Sequence, residues 1–199
     1  MMRLSSRIVF CTVFLLFISA LSFAQVKDKS TFLLDGFEDG NFWKTVNESD
    51  LEWTSSNMAT ECSISTEWST QGKKCASLSF GPMNKVHQSS FACTELFEPD
   101  WGKYKEIAID FYNKTDQKIS VNIAFQNKEN WKWTVCKSAT LEVGENKDVR
   151  FSLTENIRDG KNSKCEPIQA GNELYCALIQ VIGNNKGGTL LVDNIRLIK

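Results

Sequence analysis

Apolar residues that alternate with polar ones constrain this chain more than any other feature. Between Lys105 and Tyr112, Ile107, Ile109 and Phe111 occupy every second position, and Ile119, Val121, Ile123 and Phe125 do the same in the next run. A period of two places such residues on one face of an extended chain, so each run reads as a half-buried strand. The polar segment Asn113-Lys114-Thr115-Asp116 between them is turn-prone and predicts a hairpin joining the two. Further strands are expected at Thr31 to Phe37, Leu51 to Thr54, Cys62 to Glu67, Cys75 to Phe80, Ser90 to Leu96, Trp131 to Leu141, Lys147 to Leu153, Leu174 to Ile182 and Gly188 to Ile198. No amphipathic helix longer than a turn or two interrupts them. Parallel strands would need such crossover helices, so the pattern predicts an all-β fold: a two-sheet antiparallel β-sandwich, most naturally a jelly roll at this length.

The first 24 residues stand apart from that pattern. Arg3 and Arg7 precede an apolar run from Ile8 to Leu21, and Ser22-Phe23-Ala24 offers small residues before Gln25. This is the layout of a secretory signal peptide. The run is shorter than the roughly 20 apolar residues of a membrane span. Residues 1–24 are therefore read as a signal peptide and 25–199 as one domain, with no membrane span once the signal is removed and a secreted, periplasmic or cell-surface location. Losing Arg3 and Arg7 moves the formal net charge from −1 to −3, which argues against a nucleic-acid partner recognised through bulk charge.

Removal also takes Cys11 and leaves Cys62, Cys75, Cys93, Cys136, Cys165 and Cys176. Six cysteines in an exported chain are disulfide candidates, in any of about 15 pairings. The other reading is buried free thiols. No Cys-x-x-Cys occurs, which removes the usual zinc-ribbon and thioredoxin-like readings. His87 is the only histidine, so no chemistry needing a histidine pair from one chain is available.

Two constellations bear on function. Trp131 and Trp133 lie two positions apart on an expected strand, which would set both indoles on one face. Such a platform suits the C–H faces of sugar rings, and Gln126 and Asn130 are among the neighbours able to bond hydroxyls; the competing reading buries the indoles in the core. Trp43, Trp53, Trp68 and Trp101 read as core or rim. Near the mature N-terminus Asp35-Gly36-Phe37-Glu38-Asp39-Gly40 gathers carboxylates among glycines, a pattern that suits calcium and is also ordinary turn chemistry. Asn47-Glu48-Ser49 and Asn113-Lys114-Thr115 match the glycosylation sequon.

In order along the chain, Phe37-Glu38-Asp39-Gly40, Gln71-Gly72-Lys73-Lys74-Cys75-Ala76-Ser77-Leu78, Trp131-Lys132-Trp133 with Leu141 to Asn146, and Gly187 to Leu197 around Asp193-Asn194 resemble the motifs of carbohydrate-binding modules with the galactose-binding-like jelly roll. The resemblance implies a structural calcium held by Glu38 and Asp193, with backbone oxygens near Gly72 and Lys73 completing the shell. It also implies a polysaccharide or glycan as partner. The alternative for the same sandwich is a structural or adhesive role, contacting envelope proteins. No Gly-x-Ser-x-Gly, His-Glu-x-x-His or phosphate-cradling glycine loop is present, so the reading is non-catalytic.

Overall fold

The computed structural model describes residues 30–46, 58–83, 88–95, 100–155, 157–159 and 161–199. The expected signal peptide, the strand at Leu51 to Thr54, Trp53, His87 and the Asn47 sequon lie outside the described residues. Among the described residues no helix is long and apolar enough to cross a membrane.

Among the described residues there are twelve strands: β1 (Thr31–Asp35), β2 (Trp43–Thr45), β3 (Ala59–Ser65), β4 (Cys75–Phe80), β5 (Gln88–Cys93), β6 (Glu106–Asn113), β7 (Ile119–Asn127), β8 (Trp133–Val135), β9 (Ala139–Leu141), β10 (Gly144–Ser152), β11 (Leu174–Ile182) and β12 (Gly188–Ile198). One antiparallel sheet runs β10-β6-β12-β4-β3 with β1 also on β12; the other runs β2-β5-β11-β7-β8 with β9 also on β7. The core lies between them. Ile107, Ile109 and Phe111 of β6 and Leu190, Val192, Ile195 and Leu197 of β12 face Ile123 and Phe125 of β7 and Ile179 and Val181 of β11, all buried. Trp101, in a short 3-10 turn, packs on Phe125 at 5.2 Å between ring centroids, and Trp43 is buried in the same core.

The hairpin expected between β6 and β7 does not form. β6 pairs with β10 and β12, whereas β7 pairs with β11, β8 and β9, so the connection passes from one sheet to the other. Both strands carry an apolar face, and opposing those faces across one core buries more surface than laying them side by side. The crossing is held by buried polar groups: Asn113 Nδ2 donates to the carbonyls of Gln117 (2.8 Å) and Glu142 (3.1 Å), while its Oδ1 accepts from the Thr115 N–H and hydroxyl. Asn113 is only 1% exposed, which removes it as a glycosylation acceptor. The strand expected from Trp131 to Leu141 starts only at Trp133, because Trp131 lies in a turn with φ 59°, and it is interrupted after Val135, giving β8 and β9.

Among the described residues no disulfide joins Cys62, Cys75, Cys93, Cys136, Cys165 and Cys176. Strand alternation separates two of them: Cys93 on β5 points into the main core, while Cys176 on the adjoining β11 packs on the outer face of the same sheet. Burial pushes the Cys93, Cys136 and Cys176 thiols up to about 12, so they are neutral and unreactive at ordinary pH.

Candidate functional site

The outer face of the β2-β5-β11-β7-β8 sheet is not an ordinary solvated surface. Ser90, Gln180 and Asn122 form one row across β5, β11 and β7, and Ala92, Leu178, Ala124 and Val135 form the next. Gln126 and Trp133 are partners in the row beyond. Ser90, Asn122, Gln126 and Gln180 are all less than 9% exposed although they point away from the core. Gln180 Nε2 donates to Ser90 Oγ at 3.1 Å, and Asn122 Oδ1 is buried without a hydrogen-bond partner. Buried polar groups are normally satisfied, so Asn122 Oδ1 is left to bond a water or a ligand in the hollow it lines.

A strap of chain walls this face. Val135 and Arg158 exchange backbone hydrogen bonds of 2.7 and 2.9 Å, and Arg158 forms a second bridge to Lys164. Asp159 tightens the strap, its Oδ1 accepting from the N–H groups of Lys161 and Ser163. Two hollows result. One, of about 880 Å³, is floored by Gln88, Asn122, Ala124, Leu178 and Gln180 and edged by Lys137 and Arg158. The second, of about 930 Å³, is bounded by Asn130, Trp131, Lys132, Lys161 and Lys164. Trp133 and Asp159 line both hollows, making a continuous groove along the face.

Trp131 is 57% exposed, and its ring meets Tyr175 edge to face at 5.1 Å. The register shift in β11 between Leu174 and Cys176 lets Tyr175 and Cys176 both pack against the outer cluster. An aromatic surface beside a row of amides and hydroxyls matches the two-sided chemistry of a sugar ring, whose C–H face is apolar and whose rim is hydroxylated.

No protein-family model matches the chain, and no curated protein matches it in sequence. Solved structures do match in shape. A family 11 carbohydrate-binding module from Clostridium thermocellum, solved with a β-1,3-1,4-mixed-linked tetrasaccharide, superposes with TM-score 0.57 at 19% identity over 84% of this chain and 95% of that one. A family 28 module specific for non-crystalline cellulose gives 0.58 at 19% identity over 84% and 94%. A family 27 module from Caldicellulosiruptor saccharolyticus, solved with mannohexaose, gives 0.50 at 15% identity over 84% and 96%. The chain has the β-sandwich fold of the carbohydrate-binding modules. At these identities the likeness concerns the fold.

Within that fold the residues singled out from the sequence take different places. Trp131 and Trp133 both border the second hollow, though Trp131 does so from the turn and not by strand alternation. Asn130 borders it too, with its Oδ1 engaged by the Lys132 N–H at 2.9 Å. Gln126 lies beneath, lining neither hollow; its Nε2 donates to the Trp131 carbonyl at 3.3 Å, so it holds the turn. Trp68 is half-buried against Tyr112, its indole N–H on Glu145. The sequence reading missed Asn122, Gln180 and the strap. The available signal was the run of uncharged residues at the outward positions of β7, Ser120, Asn122, Ala124 and Gln126, where a solvated face ordinarily carries charge.

Glu38 and Asp193 both contact the loop preceding β4. Glu38 Oε1 accepts from the N–H groups of Lys73 (2.6 Å) and Lys74 (2.7 Å), which hold its carboxyl below the usual range. Asp193 Oδ2 accepts from the N–H groups of Thr70 (2.6 Å) and Gln71 (2.8 Å). Gly72, at φ 75°, lies against the Glu38 carboxylate, where a Cβ would collide. Burial raises the carboxyls of Asp35 and Asp193, and Asp193 and Asp39 add like-charge repulsion at Asp35. That imbalance is what a hard cation relieves. The coordination shell is another matter. Around Glu38 and Asp193 the loop presents N–H donors, the Gly72 carbonyl accepts the Ser69 hydroxyl, and Lys74 Nζ lies 2.7 Å from the Glu38 carbonyl. Among the described residues no three His, Cys, Asp or Glu side chains converge on one point. The pair has the charge for calcium but not, in this arrangement, the shell.

Proposed function

We propose that this is a secreted, non-catalytic carbohydrate-binding protein that holds a polysaccharide chain along the groove of the β2-β5-β11-β7-β8 sheet. Sugar rings stack on Trp131, with Trp133 at the junction of the two hollows, and the Asn122 and Gln180 amides meet hydroxyls from the floor. The observation that carries the reading is the large exposed indole set beside a buried, partly unsatisfied polar row on an outward sheet face. The glycan complexes of structures with the same fold support it. Against catalysis, the carboxylates lining the groove are Asp159 and Glu166, and Asp159 is engaged in its own turn, which is a poor basis for a two-carboxylate hydrolase. Depletion of the pure protein onto insoluble polysaccharides and calorimetry with soluble glucans, mannans and xylans test the reading. Unchanged binding by the Trp131→Ala, Trp133→Ala double variant sinks it.

Calcium on Glu38 and Asp193 belongs to the same proposal, supported by the burial of Asp193 and its repulsion with Asp35, and it requires the loop N–H groups that now bond both carboxylates to give way. Its role would be to bind the chain ends together, since β1 and β4 lie along successive halves of β12 and Asp193 falls at their junction. Melting curves with added calcium and with chelator decide it: coincident curves overturn the proposal.

A further inference from the structure

Charge is unevenly distributed over this molecule, and the unevenness centres on the groove. Lys132, Lys137, Arg158, Lys161 and Lys164 line the two hollows, against the carboxylates of Asp159 and Glu166. That is a local excess of three positive charges in a chain whose formal net charge is −1.

Elsewhere on the surface most described basic side chains are ion-paired with an acid, and those not so paired, Lys44, Lys73, Lys74, Lys105 and Lys199, are not gathered around a hollow together with the strap. Lys103 pairs with Asp100 at 2.9 Å, Lys118 with Glu142 at 2.6 Å and Lys186 with Asp116 at 2.7 Å. Lys128, on the turn close to Trp131, pairs with Glu173 at 2.9 Å. None of the five groove cations has a carboxylate partner among the described residues; Arg158 gives one guanidinium nitrogen to the Asn162 carbonyl at 2.9 Å. Acidic residues are not scarce, with 24 in the chain. Gathered around one groove, these exposed cations set up a positive field that an anion would meet favourably.

We infer that the polysaccharide this groove takes is anionic, bearing carboxylate or sulfate groups. The inference rests on the glycan-binding reading and narrows it. The sugar C–H face stacks on Trp131, which charge alone would not require. The acidic substituents meet the strap, where the planar guanidinium of Arg158 suits a two-point contact with a carboxylate or sulfate and the lysines act as mobile point charges. The mannohexaose bound by one fold neighbour carries no such groups, so the proposal separates this protein from that one.

The test is calorimetry on the mature chain with polygalacturonate and alginate as carboxylated probes, carrageenan as the sulfated probe, and mixed-linked glucan as the neutral one. At low salt at least one acidic polymer is expected to bind about tenfold or more tighter than the glucan, and to lose roughly tenfold in affinity from about 50 to about 200 mM salt. The carboxylated and sulfated arms tell the two anion sources apart. Lys161→Gln with Lys164→Gln should weaken acidic-polymer binding several-fold, while Lys114→Gln with Lys186→Gln, an equal change of net charge away from the groove, should not. Glucan binding as tight as that of every acidic polymer, or binding indifferent to salt, overturns the anionic class and leaves the glycan reading standing. Failure to bind any polysaccharide removes both. Single-stranded DNA bound as tightly as the best acidic polymer also overturns the inference, because it would show a site reading charge without sugar.

Discussion

Gln126 Nε2 donates to the backbone carbonyl of Trp131 at 3.3 Å, so a side chain on the sheet face fixes the turn that exposes the largest aromatic surface of the groove. The two residues act differently. Trp131→Ala removes a mostly solvent-exposed ring and should change stability by no more than about 0.5 kcal/mol. It should weaken polysaccharide binding about tenfold or more, as loss of an aromatic anchor does. Gln126→Ala touches no ligand, yet it frees the turn and should give a smaller loss of affinity together with a measurable loss of stability. Melting curves and calorimetry on both variants check the pattern. Equal effects on binding and stability in the two would contradict it.

The polar row offers a second handle. Gln180→Ala deletes the buried hydrogen bond from its amide to Ser90 Oγ, at a cost of about 1 kcal/mol in denaturant-unfolding stability. The same change removes an amide from the groove floor. A variant that loses binding without losing stability would place Gln180 on the ligand only, and one that loses neither would empty the row of meaning.

The thiols make a chemical prediction. Native protein should be slow to react with a thiol reagent at Cys93, Cys136 and Cys176, where burial suppresses the thiolate, whereas Cys62 and Cys165 are partly exposed. After denaturation without reductant all six thiols of the mature chain should titrate. A lower count would mean that pairs close in solution.

Asp35 carries a pH signature. Burial first, then the charges of Asp193 and Asp39, lift its carboxyl above the ordinary value of 3.8, against hydrogen bonds from the Phe37 N–H and the Trp43 indole. The folded state therefore holds its proton to higher pH than the unfolded chain. Its contribution favours folding on the acid side of that window and is lost as pH rises through the folded value. Asp35→Asn, which does not titrate, should gain stability relative to the parent as pH rises above the ordinary carboxylate value of 3.8. A parent-minus-variant difference that is flat with pH contradicts the assignment.

Expression in a glycosylating host should leave Asn113 unmodified, because its amide is buried in two hydrogen bonds at the crossing between sheets. Peptide mass mapping settles this directly.

Alternation along β6, β7, β11 and β12 made the strands readable, and with them the two-layer class of fold, because a period of two is a local property written in consecutive residues. Trp131 stood out for the same reason, as a large aromatic in a polar neighbourhood. Which sheet each strand joins was not readable. The polar run after β6 has the composition of a hairpin turn, yet it crosses the sandwich, since pairing is decided by apolar surface contributed from β10, β11 and β12, far along the chain. The groove was hidden for a related reason. Ser90, Asn122 and Gln180 look like ordinary outward positions until three strands set them in one row, and Arg158 and Lys161 look like loop charges until the strap lies along Val135. The sequence by itself determined the strands, the aromatic candidates and the thiol inventory. Only the tertiary structure decided which polar residues share a buried row and which cations lack partners, because both depend on contacts between segments that the chain order keeps apart.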